Sequence, residues 1–186
     1  MSTISKKICL IGDFGVGKTS LIRRFVERQF SDRYLSTVGV KISRKTIELL
    51  NNQAEKLNLQ LLIWDLEGHT KFKSIAPTYL QGASGAAIVA DVSRPETIER
   101  LTEHINLFLS VNKKGIIVVA FNKVDLIAKE DLAQIVEGFQ AKAIAQVLAI
   151  YQTSAKTSLS VDEMFQTLVN KIVETGNKEQ SSVREL

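Results

Sequence analysis

The apolar run KKICLIGD (6–13) stops at a glycine-rich turn, GDFGVGKT (12–19), and a helical pattern begins at once. No other stretch restricts the fold so strongly. A short apolar run without alternation suits a strand buried on both faces, the situation of a strand inside a helix-covered parallel sheet. In TSLIRRFVERQF (19–30), Leu21, Ile22, Phe25 and Val26 recur at helical spacing with charges between them. Downstream, VKISRKTIEL (40–49) and LNLQLLIWD (57–65), joined by the polar LNNQAEK, read as a hairpin. GAAIVADV (85–92), GIIVVAFNK (115–123) and QVLAIYQTS (146–154) read as further buried strands. Helical patterns around 96–111 and near 130–145 lie between them. A last helix is expected from Ser160, where Ser160-x-x-Glu163 has the spacing of a capping box, through Met164, Phe165, Leu168, Val169 and Ile172. This alternation predicts an α/β fold: a mostly parallel six-stranded sheet with one antiparallel strand and helices on both faces.

The 186 residues fit one domain, drawn at 1–175, and the polar GNKEQSSVREL (176–186) is expected to be a disordered tail. A net charge of +4, dispersed along the chain, gives no basic footprint for nucleic acid, so none is expected as a partner. Cys9 is the only cysteine, which rules out an intramolecular disulfide and fits a reducing compartment. The N-terminal stretch MSTISKKICLIGDFG lacks a signal-peptide pattern, and no apolar stretch approaches the ~20 residues a membrane span needs. The expectation is a soluble, cytoplasmic protein of unassigned oligomeric state.

Sheets of this kind collect ligands at the carboxyl ends of their strands, and the chemistry-bearing residues fall there. GDFGVGKT matches G-x-x-x-x-G-K-[ST] in its required place between strand and helix. Gly12, Asp13, Phe14, Gly15, Val16 and Gly17 would wrap backbone N–H groups around phosphate oxygens, with the helix N-terminus adding partial positive charge. Lys18 would reach the terminal phosphates, Thr19 would ligate Mg²⁺, and Ser20 closes the phosphate-contacting stretch. This loop alone admits ATPases, kinases and GTPases. NKVD (122–125) and TSAK (153–156), each at a strand end, decide between them. Asp125 accepts two hydrogen bonds from the N1–H and exocyclic amine of guanine, a donor pair adenine lacks, and an unpaired buried carboxylate discriminates strongly. Asn122 would brace this loop against the phosphate loop, the Lys123 stem would cover the base, and Ala155 N–H, between Ser154 and Lys156, would meet the guanine oxygen.

At this point the chain resembles the Ras superfamily of small GTPases, and the Rab branch most, over residues 6 to 174. The resemblance rests on GDFGVGKTSLIRRF, YLSTVGV, LLIWDLEGH, YLQGASGAAIVADVSRPET, NKVD and TSAK. It implies a P-loop NTPase G domain that binds GTP and GDP with Mg²⁺. Phe30 would stack over the guanine edge. Thr37 would close on Mg²⁺ and the γ-phosphate, Asp65 would hold Mg²⁺ through water, and Gly68 N–H would donate to the γ-phosphate. Residues 31–40 and 67–80 would be switch segments that meet effector and regulator proteins. Lys18, Thr37 and His69 would form the catalytic set.

Departures from the family pattern at His69, Phe14 and Glu67 bear on turnover, and a fourth lies at the C-terminus. His69 stands where the family usually has a glutamine that orients the attacking water, and it reads either as a water-orienting imidazole or as an idle surface residue. Phe14 replaces a small residue and would crowd the γ-phosphate region, or else shield it. Glu67 replaces the usual alanine, with its carboxylate expected to face solvent or a cation. Arg33 reads as a solvated loop arginine, with a cis-acting role as the alternative. The C-terminus has no prenylation cysteine, so no lipid anchor is expected. The leading expectation is a slow GTPase switch, and the alternative is a GTP-binding interaction module with negligible turnover.

Overall fold

Every residue of GAAIVAD (Gly85–Asp91) is buried, as only a strand covered on both faces can be. The computed structural model describes residues 3–31, 37–50, 56–68, 76–140 and 146–184. Six strands form one sheet: β1 (Thr3–Ile11), β2 (Val40–Leu50), β3 (Lys56–Leu66), β4 (Gly85–Asp91), β5 (Ile116–Asn122) and β6 (Val147–Thr153). Their order is β2-β3-β1-β4-β5-β6, and only the β2–β3 pair is antiparallel. The expected α/β architecture is therefore the one present. Sheet growth reverses at β1: β3 lies on one side of it and β4 on the other. The crevice beyond the carboxyl end of β1 is thus the position where such sheets place ligands.

Among the described residues six α-helices cover the sheet: α1 (Lys18–Glu27), α2 (Ala76–Leu80), α3 (Pro95–Glu99), α4 (Leu101–Val111), α5 (Lys129–Gln140) and α6 (Val161–Arg184). On one face, Leu21, Ile22 and Phe25 of α1 pack with Met164, Phe165, Leu168 and Ile172 of α6, and the Phe25 and Phe165 rings stack at 4.1 Å. On the other, Leu101, Ile105 and Phe108 of α4 pack with Leu132 and Phe139 of α5. The apolar stripe of the last helix is core.

Three expectations need correction. The single helix around 96–111 is divided at Arg100 (φ −84°, ψ −4°), which turns its side chain toward the phosphate loop. Ser160 adopts φ 50° instead of the extended cap conformation. Among the described residues its hydroxyl makes no capping bond, and its carbonyl accepts the Met164 N–H at 3.1 Å. Finally, α6 passes Gly176, the expected start of a disordered tail, and its backbone stays helical to Arg184. GNKEQSSVR has no proline, and Lys178, Glu179 and Gln180 are good helix formers, so a helix nucleated by core packing propagates through them. The hairpin turn at 51–55 and the end of the helix expected near 130–145 fall outside the described residues. No helix among the described residues is long and apolar enough to cross a membrane.

Candidate functional site

The loops at the carboxyl ends of the strands enclose a cavity of about 290 Å³. Phe14, Gly15 and Gly17 line it from the loop after β1, and Lys18, Thr19 and Ser20 from the first turn of α1. Phe30 and Thr37 contribute from the chain after α1, Gly68 from the end of β3, and Asn122, Lys123, Asp125, Ala155 and Lys156 from the ends of β5 and β6. Residues from five separate stretches of the sequence thus meet in one space, as the motif reading requires. The remaining expected residues act one step back. Gly12 and Asp13 offer their carbonyls to Lys18, Val16 offers its carbonyl to Asn122, and Ser154 binds Asp125. His69 and Arg33 lie outside the described residues.

Two glycines are steric necessities here. Gly17 has φ 101°, and a Cβ built on it would sit 2.2 Å from Asn122 Nδ2. A Cβ on Gly68 would lie 2.4 Å from the Phe14 nitrogen and 2.5 Å from the Asp13 carbonyl oxygen. Gly68 is therefore pressed against the phosphate-loop backbone, and any side chain there must displace one or the other.

At the phosphate end, Lys18 is buried and donates to the Gly12 and Asp13 carbonyls, both at 2.8 Å. Burial pushes its pKa down to about 8, against the pull of Asp65 and Asp13. Thr19 Oγ1 donates to Asp65 Oδ2 at 2.5 Å and lies 2.8 Å from Thr37 Oγ1, which reaches the same carboxylate oxygen at 3.2 Å. The second oxygen, Asp65 Oδ1, is buried with no hydrogen-bond partner among the described residues. Burial raises the Asp65 pKa despite the bond from Thr19 and the charge of Lys18. Two hydroxyls and one carboxylate bearing an unpartnered buried oxygen form a hard oxygen set that fits Mg²⁺. That ion is held by one or two protein carboxylates together with substrate phosphates and waters.

At the base end, the Asn122 amide donates to Val16 O at 2.9 Å and fastens this loop to the phosphate loop. Ser154 Oγ donates to Asp125 Oδ1 at 2.6 Å and fixes the carboxylate that would read the base. Lys123 Nζ meets Asp91 Oδ2 at 2.7 Å. Burial drives the Asp91 pKa up, but hydrogen bonds from Lys123 and Ser93 outweigh it, and the net shift is downward.

Glu67 corrects an expectation. Its carboxylate accepts the Gly39 N–H at 2.7 Å, while its own N–H donates to Gly39 O at 2.9 Å. It therefore ties the end of β3 to the segment just after Thr37, instead of being spent only on solvent or a cation. Sequence reasoning also missed a set of nitrogen-bearing side chains behind the phosphate loop. Arg100 and His104 of the α3–α4 region hold the buried Asp13 carboxylate at 3.1 and 3.0 Å, and Arg94 donates to Phe14 O at 2.7 Å. Burial holds the His104 pKa below its ordinary value even with Asp13 beside it. Arg23 and Leu126 line the cavity as well. Arg23 was legible as the residue four after Thr19. The Asp13 pairs span 87 and 91 residues and had no local signal.

A phosphate-binding strand–loop–helix unit braced by an Asn–Lys–x–Asp loop is the arrangement of a small GTPase. The chain belongs to the Ras family, whose profile matches residues 7–174. It is similar to the GTP-binding protein ypt5 of Schizosaccharomyces pombe, with 36% identity over 91% of this chain and 79% of that protein. Ras-related protein Rab-1A of Dictyostelium discoideum is 38% identical over 89% of this chain and 79% of its own length. Human Ras-related protein Rab-22A is 34% identical over 91% and 84%. The Rab-like resemblance holds, and the chain is a GTP-binding small GTPase.

Proposed function

We propose that this chain is a guanine-nucleotide switch that binds GTP and GDP with Mg²⁺ and hydrolyses GTP slowly. The observation carrying this reading is that one cavity joins the Ser154-fixed Asp125 carboxylate to Lys18 and to the Thr19–Thr37–Asp65 cluster. Asp125 selects guanine, Phe30 covers its edge, and Lys18 with the loop amides carries the phosphates. Thr19, Thr37 and Asp65 would hold Mg²⁺, which neutralises charge on the phosphate oxygens when bound. Thr37 and Gly68 would report the γ-phosphate, so its loss releases the segments 31–40 and 67–80. These segments would meet effectors and regulators. Val38, 85% exposed, and the exposed Ile42 offer apolar surface beside Thr37 for that purpose.

Slow turnover is supported at Phe14, which lines the cavity and is 41% exposed where an inserted arginine would need space. Such an arginine is worth about 10³–10⁵ in rate. His69 occupies the water-orienting position in the sequence. The same Phe14 favours a second reading, an interaction module without turnover. Single-turnover assays with GTP separate the two: phosphate release over minutes to hours supports the switch, and none over days supports the module. If His69→Ala leaves the rate unchanged, His69 has no catalytic role.

A further inference from the structure

Consecutive arginines on α1 are used in opposite ways. Arg24 is committed to the fold: its Nε donates to Ala155 O at 2.8 Å and its Nη2 to Lys156 O at 2.9 Å, holding the TSAK loop against α1. Arg23 is half-buried and lines the nucleotide cavity, and no described carboxylate pairs with it. It follows Ser20 by three residues and Thr19 by four, so all three share one face of the helix. Helical Cα–Cβ bonds tilt toward the N-terminus, and four residues rise about 6 Å, a distance an arginine side chain can span. An Arg23 side chain lining this cavity can therefore reach back to the helix end where Lys18 and Thr19 lie. It brings a planar fork of donors that matches phosphate oxygens, in a site where no carboxylate among the described residues consumes its charge.

We infer that Arg23 is a phosphate-binding residue of this cavity, holding the phosphate chain of the bound nucleotide from the α1 side, in addition to Lys18 and the loop amides. The inference rests on the guanine-nucleotide reading above. It makes α1 contribute a side-chain ligand beyond its N-terminal turn. Arg24, one position on, cannot supply it, because its guanidinium is spent on the base loop.

The test compares GDP and guanosine, each with Mg²⁺, on the full chain and on Arg23→Gln and Arg23→Lys. Arg23→Gln should weaken GDP by about tenfold to a hundredfold, the effect of losing a charge-assisted bond, and leave guanosine unchanged. Arg23→Lys should fall between, since an ammonium keeps the charge but not the fork. In the unaltered chain, GDP should protect Arg23 from phenylglyoxal while guanosine does not, a readout that depends on no variant folding. A GDP affinity for Arg23→Gln within twofold of the unaltered chain overturns the inference. So does an equal loss for guanosine, or modification of Arg23 at the same rate with and without GDP. If the unaltered chain binds no GDP, the functional reading fails first and carries this inference with it.

Discussion

The two ends of the cavity are built on different principles. At the base end the protein closes its own hydrogen bonds: Asn122 to Val16, Asp125 to Ser154, Lys123 to Asp91 and Arg24 to the TSAK loop. At the phosphate end the polar groups are left electrostatically incomplete. Lys18 is pushed down to about 8 by burial, Asp65 is pushed up, and Asp65 Oδ1 has no partner among the described residues. Buried groups that destabilise their own charged forms are those that gain most from a charged ligand. On the proposed reading, the base end would decide which nucleotide enters, and the phosphate end how strongly any nucleotide is held.

Substitutions at the two ends should separate these roles. The largest effect belongs to selection: Asp125→Ala should erase a preference for GTP over ATP of about 10⁴, judged from sites that hydrogen-bond a substrate group. Competition between the two nucleotides measures it, and continued exclusion of ATP would break the contrast. Next comes Lys18→Ala, which should weaken GDP and GTP alike by about a hundredfold while leaving discrimination against ATP intact, because charge-assisted bonds to the phosphates are lost without touching the base. A change in selectivity in that variant would show that the ends are not separable.

A smaller effect concerns the coupling of β3 to the segment after Thr37. Glu67→Ala removes the carboxylate that accepts the Gly39 N–H, so exchange of the Gly39 amide with solvent should speed by about tenfold, the worth of one hydrogen bond to a charged group. Unchanged exchange would mean the paired backbone bond from Glu67 suffices. The smallest effect is a pH slope. Burial holds the His104 pKa below 6.5, while Asp13 and Glu103 pull it upward and Lys18 adds to the lowering. The unfolded chain thus takes up this proton first, so the contribution is intact above 6.5 and is lost as the pH falls toward the folded value. His104→Gln should flatten thermal stability between about pH 5 and 7, where histidine titrates. A slope equal to that of the unaltered chain would remove His104 as its cause.

What the sequence disclosed follows the same division. The phosphate and base loops were legible because each is a contiguous stretch whose spacing is dictated by a strand end, a turn and one ligand group. The β2–β3 hairpin and the α1 and α6 stripes were legible through periodicity. Pairings set by tertiary contact were not. Glu67 looked solvent-directed because the partner of its carboxylate is a backbone amide 28 residues away. Asp13 read only as a phosphate-loop residue offering its backbone, although Arg100 and His104 reach its carboxylate across 87 and 91 residues. The extension of α6 past Gly176 was hidden by polar composition, which signals loss of packing more readily than loss of helix. The break at Arg100 had no sequence mark, since the residues on both sides suit a helix.

One measurement bears most directly on the claim that a single cavity selects guanine at one end and binds phosphate at the other. It is calorimetric titration of the nucleotide-free chain with GDP in Mg²⁺, repeated with ATP in excess. The expected result is micromolar or tighter binding of GDP that excess ATP does not displace. Absence of GDP binding, or displacement by ATP at comparable affinity, would contradict it.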